Sequence, residues 1–176
     1  MVLDLVSAAT ATFALCLAPP IDAPVTRGFE PPPCEYCAGH RTIEFGDDSE
    51  FGDQGVVTPV EVRAPVDGRV RFAGPVAGTA YVSIEPIGRP GRTVTVGWIP
   101  PDPGVFIGLP ALGGLVRVGD PIGRSAGGAT LSLRSMVGEY QDPTPYLGRL
   151  RYRPRLVPLD GRARRPRNRA VCQPLR

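Results

Sequence analysis

Two stretches hold the side chains whose types and spacing could do chemistry. Residues 39–45, Gly-His-Arg-Thr-Ile-Glu-Phe, contain the chain's only histidine, His40, with the Glu44 carboxylate four positions on. Residues 128–134, Gly-Ala-Thr-Leu-Ser-Leu-Arg, alternate leucines with Thr130, Ser132 and Arg134. In a strand, that period of two sends Leu131 and Leu133 to one face and the polar trio to the other. A Ser132 or Ser135 nucleophile would need His40 as its base and an acid to orient it, and no local spacing brings these together. A Cys34/His40 pair is a second arrangement, and it requires a free thiol.

A metal site is the third. A hydrolytic zinc takes about three protein ligands and keeps one position open for water, whose pKa it brings to about 7. His40 and Glu44 supply two, and Asp47 or Asp48 would be the nearest further carboxylates. Cys34-Glu-Tyr-Cys37 has zinc-knuckle spacing, but the other cysteines, Cys16 and Cys172, are remote in sequence. The pattern favours a disulfide, between Cys34 and Cys37 or from either one to Cys172, over free thiols or a metal. The glycine-rich residues 123–128 lead into a strand pattern and not a helix, which argues against a phosphate loop.

The elements that must position these groups are strands. Gly and Pro, at 22 each in 176 residues, exceed their usual ~7% and ~5% shares and punctuate short alternating runs. Residues 60–62, 69–72, 81–84, 93–99 and 130–134 read as strands and 115–123 as a short strand, a turn and a return, with turns at 64–68, 74–78 and 86–91 and a long loop at 100–114. Val94, Val96 and Trp98 share one face of the clearest run. With no amphipathic helix of three turns, the fold class is all-β, an antiparallel sandwich or open barrel.

Charge divides the chain. Residues 1–148 carry a net −6, whereas 149–176 carry ten arginines against Asp160 alone, a net +9. The basic tail points to an anionic polymer or phospholipid surface; no nucleic-acid recognition pattern accompanies it. Residues 1–18 are small and apolar, as in the core of a signal peptide, although Asp4 interrupts them and no basic residue precedes them. The expected organisation is a leader and linker at 1–24, a domain at 25–148 and a flexible tail at 149–176, in a secreted or envelope-associated protein.

Val62-Arg-Ala-Pro-Val-Asp-Gly-Arg-Val70, Arg92-Thr-Val-Thr95, Val116-Arg-Val-Gly-Asp-Pro-Ile-Gly123 and Asp142-Pro-Thr-Pro-Tyr-Leu147 together resemble the LytM/lysostaphin-type zinc endopeptidases of bacterial peptidoglycan, the duplicated hybrid motif family, in its actinobacterial branch. Residues 39–45 fall where that family has its His-x-Gly-x-Asp motif. The resemblance implies zinc held by that His, that Asp and the second His of a His-x-His pair, with further histidines handling water and the tetrahedral intermediate. Here His40 stands at the first ligand, Glu44 at the Asp position and Thr42 at the glycine. Thr130-Leu-Ser132 replaces His-x-His, which puts Ser132 at a lost ligand position, and Trp98 falls at or beside the strand histidine. The similarity to biotinyl and lipoyl carriers in residues 64–70 is excluded, because those need an acceptor lysine and the chain has none.

By this resemblance the chain is a catalytically inactive relative without a cofactor, with a groove lined by His40, Glu44, Trp98, Thr130, Ser132 and Arg134. Its expected partner is a peptidoglycan peptide or a cell-wall hydrolase that it regulates. An active zinc peptidase with a non-standard ligand set and a structural relic with neither activity nor partner are the alternatives.

Overall fold

The computed structural model of the chain describes residues 15–34, 37–46, 59–151 and 169–171. Asp47, Asp48, Cys172, most of the leader and most of the tail lie outside the described residues. The fold is all-β, and the one helical turn among the described residues is a 3-10 segment, Thr144–Tyr146. The strands are β1 (Val25–Arg27), β2 (Ile43–Phe45), β3 (Val60–Arg63), β4 (Gly68–Val76), β5 (Thr79–Pro86) and β6 (Thr93–Trp98). They continue with β7 (Leu115–Val116), β8 (Pro121–Ser125), β9 (Ala129–Arg134), β10 (Tyr140–Gln141), β11 (Arg149–Arg151) and β12 (Arg169–Val171).

The main sheet is antiparallel and open, in the order β1-β2-β9-β6-β5-β4-β7, with β10 also paired to β9. Alternation dictates its two faces. In β5, Ala80, Val82 and Ile84 are buried while Thr79, Tyr81, Ser83 and Glu85 take the other side. In β6 and β9, Val94, Val96, Leu131 and Leu133 do the same against Thr93, Thr95, Thr130 and Arg134. One face is therefore apolar and the opposite face is a field of hydroxyls and charges. The β4–β5 hairpin turns at Ala77-Gly78, both at positive φ, which is the backbone a two-residue hairpin requires. The strand therefore runs on to Val76, past the turn expected from Gly74 and Pro75. Pro75 is tolerated because the outer side of β4 pairs with β7 only at Gly68 and Arg69.

The apolar face is covered by the β3–β8 pair, through Val62 and Ile122, and by residues 15–21. At Gly123 on β8, a Cβ would collide with the Trp98 indole, so glycine sets how closely the two layers approach. Leu15, Leu17 and Ile21 enter the same core cluster. Their segment is stitched between two neighbours: Leu17 N–H donates to the Tyr146 carbonyl, Gly148 N–H to Leu17, and Ala18 N–H to Pro65, each at 2.8 Å. The domain is thus wider than the 25–148 span read from composition. Leu15 and Leu17, at the end of the run read as a leader, pack into the core, and part of the tail pairs as β11 with β12.

Leu17 is 0% exposed. Leu17→Ala should lower the free energy of unfolding by about 2–5 kcal/mol, read in urea denaturation as a lower midpoint with an unchanged slope.

Candidate functional site

The register of the main sheet assembles the polar face row by row. Glu44 on β2 lies opposite Thr130 on β9, Thr130 opposite Gly97 on β6, and Gly97 opposite Tyr81 on β5. The next row runs Ser132, Thr95 and Ser83, and Ser83 and Thr95 share a hydroxyl hydrogen bond of 2.8 Å. Beyond it, Arg134 lies between Thr93 on β6 and Tyr140 on β10. Gly97 leaves a dip in which the Tyr81 ring and the Thr130 hydroxyl sit, where a Cβ would touch both. Thr130 Oγ1 donates to the Gly97 carbonyl at 3.4 Å.

His40 is brought to this face by a hairpin. Glu30 and His40 exchange two backbone hydrogen bonds of 2.9 and 2.8 Å. Above them Cys34 and Cys37 are joined by a disulfide. Gly39 lies against the backbone of Glu30 and Pro32 with no room for a Cβ. From this position the His40 Nε2 reaches Thr42 Oγ1 at 3.1 Å and Glu44 Oε1 at 3.2 Å. The imidazole is 13% exposed and the carboxylate 38%, so the pair opens toward solvent on the carboxylate side. Cys34 is consumed by its disulfide and offers no thiol to His40.

The zinc implied by the resemblance does not fit these residues. Among the described residues no three His, Cys, Asp or Glu side chains converge. Thr130 and Ser132 present neutral hydroxyls where two imidazoles would be needed, and a hydrolytic zinc takes about three stronger donors. What the arrangement offers instead is hydrogen bonding: an imidazole, a carboxylate and a set of hydroxyls, able to donate to and accept from an extended chain.

Five of the six groove residues anticipated from the sequence come to this face or its edge: His40, Glu44, Thr130, Ser132 and Arg134. Ser132 is nearly closed over, at 8% exposed. Trp98 does not join them. It pairs with Ala129 and Ala80 on the apolar face, is 4% exposed, and packs in the core cluster. One side of the indole contributes to a separate cavity of about 310 Å³ under the 100–109 loop, with Pro100, Phe106, Leu109 and Arg124.

Sequence reading missed Arg41 and Tyr140. The Arg134 guanidinium lies 4.3 Å from the Tyr140 ring centre and donates from Nη2 to the phenol oxygen at 2.8 Å. The Arg41 guanidinium lies 5.8 Å from the same ring centre. Their meeting is topological. β6 fills one edge of β9 from Ala129 to Arg134, so β2 and β10 must follow one another along the other edge. β2 takes Ala129, Thr130 and Leu131, and β10 takes Leu133 and Arg134. The handover falls at Ser132, and the ends of both short strands gather there. The aromatic-plus-arginine content of residues 134–141 was the one signal in the sequence.

No protein-family model matches the chain, and no curated protein matches it.

Trp98 is the single tryptophan, which makes its placement easy to check. Its emission should be blue-shifted, and acrylamide should quench it several-fold less than free tryptophan; an indole in an open groove would quench readily.

Proposed function

We propose that the chain is a non-catalytic relative of the LytM-type peptidoglycan endopeptidases, acting in cell-wall binding or in the regulation of cell-wall hydrolases through its emptied groove. The observation that carries the reading is the register Glu44 opposite Thr130 opposite Gly97. The two stretches that resemble the family's ligand motifs, distant in sequence, lie side by side on one polar sheet face. What remains of the ligand set is the His40–Glu44 pair alone, and the flanking hydroxyls suit a peptide backbone better than a hydrolytic metal.

The same groove favours an extended peptide. Five residues of β9, from Thr130 to Arg134, span about 13 Å, matching roughly five extended peptide residues. A carboxylate at one end and arginine at the other give that surface a direction. The disulfide-bonded state of Cys16, Cys34 and Cys37 supports a secreted or envelope location, where disulfides persist. The arginine-rich tail would add a sequence-independent attraction to anionic wall polymer or phospholipid.

Two measurements test the reading. Purified protein exposed to zinc and dialysed should retain well under one zinc per chain and leave cross-linked muropeptides intact, while sedimenting with insoluble peptidoglycan. Zinc near one per chain, lost in His40→Ala and accompanied by cleavage, would establish the active-peptidase alternative instead. Glu44→Arg reverses the charge at one end of the groove and should weaken sedimentation about tenfold, equivalent to ~1.4 kcal/mol.

A further inference from the structure

We propose that Arg41, Arg134 and Tyr140 form a carboxylate-binding subsite that takes the free C-terminal carboxylate of a short peptide lying along the polar face. The inference rests on the groove reading above and names which end of the peptide is held.

The chemistry of the three side chains points one way. Tyr140 is the acceptor of the hydrogen bond from Arg134 Nη2, so the phenol's own proton is directed elsewhere and remains to be donated. Arg134 keeps its other N–H groups, and Arg41 its whole fork. The cluster is thus made of donors. Both guanidiniums lie against the π-system of the Tyr140 ring, which attracts each cation but does not neutralise its charge. Among the described residues neither is paired with a carboxylate; the ion pairs there join His40 to Glu44, Arg63 to Glu61 and Arg71 to Glu85. Asp142, two residues beyond Tyr140, is turned to the Thr144 N–H at 2.8 Å. An oxyanion is the missing complement.

A carboxylate fits better than a phosphate. The planar guanidinium fork matches the two oxygens of a carboxylate, and the groove that leads to it ends at another negative charge, Glu44. A ligand of two negative charges would meet Glu44 unfavourably. A peptide offers N–H groups, or an ammonium, toward Glu44 and His40 and a single carboxylate toward the arginines. In between, the hydroxyls of Thr130 and Thr95 can both donate and accept, as a peptide backbone does.

The test uses the full chain with four probes: tetra-alanine, tetra-alanine C-terminal amide, inorganic phosphate and insoluble peptidoglycan. Titrations followed by NMR should show tetra-alanine binding at least tenfold more tightly than its amide, with the Tyr140 and arginine side-chain signals moving. An Arg41→Gln/Arg134→Gln double variant should abolish the preference, and Tyr140→Phe, which removes only the phenol donor, should reduce it about threefold. Unchanged spectra in the absence of peptide would show that these variants fold. Equal binding of acid and amide, or a preference that survives the double variant, would overturn the subsite. Phosphate bound as tightly as tetra-alanine with the same arginine dependence would overturn the choice of carboxylate. If the acid preference holds but the protein does not sediment with peptidoglycan, the subsite stands and the cell-wall reading falls. If it sediments and the double variant sediments equally, the subsite falls and that reading stands.

Discussion

The pairing of β6 with β9 is the constraint on which the rest depends. Its register, from Thr93 opposite Arg134 to Trp98 opposite Ala129, is fixed because a slip of β9 by one residue would turn Leu131 and Leu133 out to water and bring Thr130, Ser132 and Arg134 into the core. Burying such aliphatic side chains is worth about 1.5–3 kcal/mol each, so the correct register wins by a wide margin. The polar face exists because the apolar one does. Everything proposed for the groove follows from residues that had to go to the other side.

That dependence explains how much of the protein could be read from its sequence. The alternation of β5, β6 and β9 announced both the strands and their faces, because period two is a local property. Trp98 shows where local reading and family resemblance part. Alternation placed it with Val94 and Val96, whereas motif position placed it in the groove; pairing with Ala80 and Ala129 keeps it on the apolar side. Arg41 and Tyr140 were beyond the reach of local reading, since their meeting needs two short strands to share one edge of β9. Leu15 and Leu17 were obscured for a different reason. A run of small apolar residues has the same composition whatever it does, and the packing of Leu15 and Leu17 shows only in their place in the core and in the hydrogen bonds of Leu17 and Ala18 to residues 146–148 and 65.

The separation of fold from chemistry follows from the same geometry. A sheet position tolerates Thr and Ser as well as His, and Thr suits a pleated surface, so the fold does not require imidazoles at residues 130 and 132. The chemistry has no such tolerance. Zinc needs a set of donors converging on one point, which the neutral hydroxyls of Thr130 and Ser132 do not provide. Gly97 lets the Tyr81 ring and Thr130 hydroxyl settle into the dip, and the face has its hydrogen-bonding capacity without a converging set of metal donors.

The Cys34–Cys37 disulfide belongs to this positioning and not to global stability. Closing a loop of four residues removes little chain entropy, about 2 kcal/mol on the loop-closure relation, against nearly 5 for a loop of a hundred residues. Such a bridge does little for the fold as a whole. It sits, however, within the hairpin whose base is the Glu30–His40 bridge. There it limits the freedom of the segment that carries His40, and with it the contacts of that ring to Thr42 and Glu44. The His40 ring is held by groups of the chain itself. The hairpin, the Gly39 backbone packed on Pro32, and the carboxylate 3.2 Å from Nε2 together supply that constraint from the protein's own atoms.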